Sequence, residues 1–332
     1  MQFGLHRALF KTLPEMAEKL KKEVIMDKII NTPCGSIQNT DCRWDGVRAF
    51  KGIRYATAGR WEYPVPVIKW EGTYDATRYG SCCYQPRAFT DEAKNPGKAF
   101  YYNEFRKGET YTYSEDCLFL NVFTPGEAGS DSRLPVIVYI HGGGFTGGCG
   151  HEKHFDGPAW AKKGVVAVTI NYRLGPMGFV CLPELKEEAG HTGNYGLYDQ
   201  VAALQWVQRN ISAFGGDPQN VTIMGQSAGA MSVQSLCFSP LTEGLFHKAV
   251  MSSGGGISRI MNNKATPEDR YALWQCARKE AVCCDDLVDI VDPGHLLPEA
   301  KCDSCFLKSC QELLDELEST ICSEVCLLDL EK

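Results

Sequence analysis

Val221-Thr222-Ile223-Met224-Gly225-Gln226-Ser227-Ala228-Gly229 reads as a short apolar strand, a serine between glycines, and the opening of a helix. This is the arrangement a hydroxyl nucleophile needs. The strand stops abruptly, the chain turns through a strained conformation, and the serine oxygen stands clear of the backbone. Glycines two before and two after the serine let the strand and the helix pass close together. The helix that follows brings backbone N–H groups and the positive end of its dipole to the same point. A Gly-x-Ser-x-Gly pentapeptide alone is weak evidence in a chain with 33 glycines. The strand–turn–helix context is what favours Ser227 as a nucleophile.

A second segment supplies what the serine lacks. Leu134-Pro135-Val136-Ile137-Val138-Tyr139-Ile140 is a nearly continuous apolar, β-branched run that predicts a buried strand. It leads straight into His141-Gly142-Gly143-Gly144-Phe145. Consecutive glycines after a strand allow the backbone to approach a ligand and aim its N–H groups at it. Gly143 and Gly144, with the N–H of Ala228, are the expected donors to the oxyanion of an acyl-transfer intermediate. The alternative, a phosphate loop, requires a Lys-Ser/Thr after the glycines, which is absent. His141 is read as positioning the loop, because in hydrolases with this elbow the base follows the serine in the chain.

These residues resemble the type-B carboxylesterase family of α/β-hydrolases, the group that includes bacterial para-nitrobenzyl-type esterases and cholinesterases. Phe214-Gly215-Gly216-Asp217-Pro218 through Gly229 is similar to its nucleophile signature, and Glu115-Asp116-Cys117-Leu118-Phe119-Leu120-Asn121-Val122 to its second signature. Gly52-Ile53-Arg54-Tyr55-Ala56 resembles its N-terminal segment, with Arg54 in place of a proline. Asn171-Tyr172-Arg173-Leu174-Gly175, Asn194-Tyr195-Gly196-Leu197-Tyr198-Asp199-Gln200 and the run Ala203 to Ile211 extend the likeness. It implies an α/β-hydrolase fold and serine esterase chemistry on a small-molecule ester, with no metal or organic cofactor.

Two departures matter. Gln226 stands where the family often has Glu, which removes a negative charge beside the serine and disfavours cationic substrates. The resemblance also implies a triad acid, then a histidine, well beyond the serine. Here only His247 and His295 follow it. His247 falls in a run the family uses structurally, and His295 has no matching surroundings. Asp199 is read as structural. The triad acid and base are therefore unassigned, and the expectation is a C-terminally truncated hydrolase needing a complementing C-terminal fragment. The competing readings are a catalytically dead fragment, a non-catalytic interaction protein of the same fold, and a sequence cut short by a frameshift or assembly error.

At 332 residues, with 44% hydrophobic and 23% charged residues, the chain has the composition of a soluble globular protein. A net charge of −7 without a dominant basic patch argues against nucleic acid. No apolar run approaches the ~20 residues of a membrane span. Residues 1–25 show no signal-peptide pattern. They are read as an extension outside the fold, with a short amphipathic helix over Pro14 to Val24, and the hydrolase portion as 26–332 with a possible start at Met26. Sixteen cysteines without a leader predict reduced thiols and a cytoplasmic location. The resemblance adds that secreted relatives would pair Cys117 with a cysteine near Cys82 or Cys83. Cys302-x-x-Cys305 lacks the second pair of a zinc site and is read as buried thiols.

Alternating strands and helices predict a mostly parallel sheet covered on both faces. The expected strands are Leu118 to Phe123, Pro135 to Ile140, Val165 to Ile170, Val221 to Met224 and Ala249 to Ser252, with a helix from Ala228 to Cys237. Ile29 to Ile37 and Gly46 to Phe50 are read as one small antiparallel ribbon, and 57–114 as long loops. Phe100, Tyr101, Tyr102, Phe105, Tyr111 and Tyr113 either anchor a loop, the favoured reading, or line a pocket. An apolar face at Leu313, Leu314 and Leu317 predicts an exposed patch and poor solubility.

Overall fold

A computed structural model describes residues 29–41, 46–88, 92–153 and 155–254. The helix expected over Pro14 to Val24, His295, Cys302, Cys305 and the apolar face expected at Leu313, Leu314 and Leu317 lie outside these residues. The chain begins with β1 (Ile29–Thr32), β2 (Gly35–Gln38), β3 (Thr40–Asp41) and β4 (Val47–Arg54). Short strands β5 (Ala56–Thr57), β6 (Val65–Pro66) and β7 (Thr73–Asp75) punctuate the loop-rich stretch before β8 (Phe119–Pro125). Then come β9 (Leu134–Ile140), α1 (Gly157–Ala161), β10 (Val166–Ile170), α2 (Gly175–Phe179), α3 (Pro183–Ala189) and α4 (Tyr195–Asn210). Last are β11 (Gly216–Gln226), α5 (Ala228–Phe238) and β12 (Lys248–Ser252).

The main sheet has the order β12-β11-β9-β10-β8-β4-β3. β12, β11, β9 and β10 pair in parallel, whereas β8, β4 and β3 join antiparallel. The sheet is thus mixed: the expected parallel arrangement holds for the half that carries Ser227. The expected single ribbon is corrected as well. β1 and β2 form their own hairpin, which β7 joins in parallel. Gly46 to Phe50 instead enters the main sheet as β4, because its consecutive residues Ala49 and Phe50 are both buried, one on each face of that sheet.

The two faces follow from the two-residue period of a strand. Phe50, Val122 and Val168 point into the large core that also holds α4 and α5 side chains such as Trp206 and Val233. Their neighbours Ala49, Phe123 and Ala167 face the other way and pack with Ala161 of α1. Phe214 anchors the larger side, with Phe50 edge-on at 4.8 Å and Trp206 at 5.9 Å. α4 is tied to α5 by a buried hydrogen bond from Gln200 Nε2 to Ser232 Oγ, 3.0 Å. Among the described residues no helix is long and apolar enough to cross a membrane.

Candidate active site

Strand register builds the site. Gly225 of β11 lies opposite Ile140 of β9 on one side and Met251 of β12 on the other, and Ile170 of β10 lies opposite Ile140. The parallel strands therefore end together. Ser227, the His141–Gly144 loop, Asn171 and Ser253 emerge at one edge, where ligands of open α/β sheets bind.

Ser227 sits at φ 54°, ψ −122°, a conformation that costs an L-residue roughly 1–3 kcal/mol. The surroundings enforce it. The Ser227 N–H donates to Ser252 O at 2.9 Å, and the Met231 N–H donates to Ser227 O at 3.0 Å. A Cβ at Gly225 would lie 2.2 Å from Gly229 O, and one at Gly229 would lie 2.1 Å from Ile140 O. Strand and helix thus cross at a separation only glycine permits. Ser227 itself is half-buried, while Ala228, which opens α5, is buried. The first N–H groups of a helix have no intrahelical acceptor.

The glycine loop lies directly alongside. A Cβ at Gly142 would stand 3.2 Å from Ser227 Cβ and 2.8 Å from Gln226 Oε1. Gly143 and Gly144 have φ of 113° and 62°, and Gly143 is exposed. The structure thus brings Gly142 against Ser227, with Gly143 and Gly144 next in the chain and Ala228 directly after the serine.

Three residues that sequence reasoning did not assign, or assigned no role, hold this loop, and a fourth, Arg173, fixes the segment after β10. Gln85 is buried; its Nε2 donates to Gly148 O (3.0 Å) and Cys83 O (3.1 Å), and its Oε1 accepts from Gly148 N–H (2.9 Å). Asn171 Oδ1 accepts from Gly150 N–H at 2.8 Å, and Tyr172 donates its hydroxyl proton to His141 O at 2.8 Å. Burial pushes the Tyr172 phenol well up, so it remains a neutral donor. Arg173 binds Asp199 through Nε (2.9 Å), Nη2 (2.8 Å) and its backbone N–H (3.0 Å). Asn171-Tyr172-Arg173 is visible in the sequence as a motif, but its partners are not. A Gln85→Leu chain is expected to lose about 3 kcal/mol, because buried Gly148 and Cys83 backbone groups lose their partner. Urea unfolding checks this, and an unchanged midpoint would remove Gln85 from the loop's support.

The histidines of the described residues are committed elsewhere. His141 is buried and stacked on Tyr172 at 4.4 Å. His191 stacks on Tyr63 at 3.8 Å, and His151 on Tyr79 at 4.4 Å. His247 Nδ1 accepts from Val221 N–H at 3.3 Å, at the start of the paired segment of β11. Six residues of strand separate that point from Ser227, about 20 Å. Asp199 is consumed by Arg173. The aromatic group anchors a loop: Tyr101 donates to Glu152 at 3.1 Å, and Tyr113 accepts from Arg106 at 2.8 Å. Phe100 points outward, 75% exposed. Arg54, the departure from the N-terminal motif, donates to Asp116 of the second signature, with Nη2 at 2.7 Å. Cys83 and Cys117 are free thiols in hydrogen-bond contact, and this contact together with burial pushes the Cys117 thiol up.

Residues 26–313 match the model of the Carboxylesterase family. The chain belongs to that family. It is 43% identical over 253 residues to a para-nitrobenzyl esterase of Bacillus subtilis (strain 168), covering 75% of this chain and 47% of that one. It is 39% identical over 231 residues to a fumonisin B1 esterase of Sphingopyxis macrogoltabida, covering 68% of this chain and 39% of that one. A solved esterase of Clostridium hathewayi, described as hydrolysing aliphatic aromatic polyesters, superposes with a TM-score of 0.69 at 32% identity. That match spans 88% of this chain and 54% of the esterase. The α/β-hydrolase fold is therefore shared, and the chain spans about half or less of the length of these curated relatives.

Proposed function

We propose that the chain supplies the nucleophile and the oxyanion donors of a serine carboxylesterase acting on small-molecule esters. The observation that carries this reading is Ser227, held at a strained elbow against the glycine loop. Its Oγ attacks the ester carbonyl carbon while its proton passes to a base. The carbonyl oxygen becomes an oxyanion that accepts from the N–H groups of Gly143, Gly144 and Ala228. Collapse expels the alcohol with a proton and leaves an acyl-enzyme, which water hydrolyses. A scaffold without this chemistry has no use for the strain, which a glycine at 227 would relieve.

No described histidine is placed to serve as the base. In this reading the base and its acid come from outside the described residues. Residues 1–25 are an extension ahead of the hydrolase domain. The free Cys83 and Cys117 thiols fit a reducing, cytoplasmic setting. An organophosphonate probe is expected to label Ser227 alone, slowly in this chain and at least ~10²-fold faster once a base is supplied. Mass mapping of the adduct reads the result. A chain that stays unlabelled at Ser227 under both conditions is a scaffold.

A further inference from the structure

We propose that Cys82, Cys149 and His151 form a site for a soft divalent metal ion, zinc above all, which ties the glycine loop to the segment preceding it. The two sulfurs and a ring nitrogen of His151 lie within 4.8 Å of one another. Cys82 Sγ and His151 Nε2 are 3.8 Å apart. At Zn–S of about 2.3 Å and Zn–N of about 2.0 Å, two ligands of a tetrahedral ion stand about 3.6 Å from each other. The Cys82–His151 spacing therefore needs almost no movement, and the remaining ligand pairs, within 4.8 Å, close by about 1 Å at most. Cys82 and Cys149 are 0% and 2% exposed.

The ligands are held from three directions. Cys82 is pinned by its N–H to Thr112 O (2.8 Å) and by Ser114 N–H to its own carbonyl (3.0 Å). Gly150, between the other two ligands, donates to Asn171 Oδ1, and a Cβ there would lie 2.9 Å from Ile170 O. The His151 ring is sandwiched between Tyr79 at 4.4 Å and Tyr111 at 5.2 Å. Pre-set ligands lose little freedom when an ion arrives.

A separate observation points to a missing ligand. The Tyr111 hydroxyl is buried with no hydrogen-bond partner. Buried hydroxyls without partners are costly and rare. The Tyr111 ring stacks on that of His151 at 5.2 Å, so the orphan hydroxyl belongs to a side chain packed against the cluster. Directly or through a water, it would complete a fourth position. Two thiolates and a neutral imidazole select zinc over hard cations. Binding releases two thiol protons to solvent, and the ion's two charges cancel the two thiolates. Because both thiols must give up their protons to bind, affinity rises with pH.

The test uses the full-length chain, fully reduced, stripped with a chelator and titrated with Co²⁺. One equivalent is expected to produce a thiolate-to-cobalt charge-transfer band that Zn²⁺ abolishes. Cys149→Ser should lose the band, and His151→Ala should weaken binding at least ~10-fold. Cys117→Ser and the Cys302→Ser/Cys305→Ser pair, which alter other cysteines, should keep it in full. Far-UV circular dichroism identifies any variant that has not folded, in which case Cys82→Ser replaces it. Absence of the band in the reduced parent chain overturns the proposal. So does a band that survives Cys149→Ser with His151→Ala but vanishes in the Cys302/Cys305 pair. A Cys82–Cys149 disulfide that forms in air, with no cobalt binding after reduction, overturns it too.

Discussion

A Ser227→Gly chain is expected to take up no phosphonate and to unfold at higher denaturant concentration than the parent. The two effects share one cause. Serine at φ 54°, ψ −122° is paid for elsewhere in the fold, at roughly 1–3 kcal/mol. Glycine reaches that region freely, at the expense of ~0.5–1 kcal/mol of unfolded-state entropy. The net gain is about 1 kcal/mol, while the nucleophilic oxygen is gone and labelling falls to nothing. Ser227→Ala is the control. It is equally unreactive but keeps the strained Cβ, so its stability should stay within ~0.5 kcal/mol of the parent. Equilibrium unfolding of the three chains separates strain from chemistry. If the glycine chain proved no more stable than the alanine chain, the elbow would hold no strain worth the name.

Asp199→Ala is expected to cost 3–5 kcal/mol, roughly the penalty for leaving a buried charge without its partner. Asp199 is 0% and Arg173 4% exposed, and the carboxylate receives both the guanidinium fork and the Arg173 N–H. Burial works against the Arg173 charge, yet Asp199 more than offsets it and moves its pKa up. Without that carboxylate the cation is stranded beneath the loop that follows β10. Against a typical native stability of 5–15 kcal/mol, such a loss is large enough to unfold a substantial fraction of the chain. Replacing both partners, as Arg173→Met with Asp199→Leu, should recover most of it, since apolar pairs of similar volume replace buried ion pairs at little cost. Urea titration of the single and double variants checks this. Equal losses in the two would mean that the charge pair is not what holds this corner.

The elbow and the glycine loop could be read directly because they are local. Strand, Gly-x-Ser-x-Gly and helix opener occupy one continuous stretch, and backbone sterics within a few residues dictate what such a stretch does. The expected strands and the Ala228 helix appear as Phe119–Pro125, Leu134–Ile140, Val166–Ile170, Gly216–Gln226, Lys248–Ser252 and Ala228–Phe238 for the same reason. Tertiary structure alone decided how distant segments meet. Parallel register placed Gly142 against Ser227, while His247 lies beside Val221, six residues back along the same strand. Antiparallel docking of β4 and β8 made the sheet mixed. The meeting of Cys82 with Cys149 and His151, and the capture of Asp199 by Arg173, depend on pairings between segments far apart in the chain. Periodicity and propensity report on near neighbours only, so no spacing along the chain foretells these contacts.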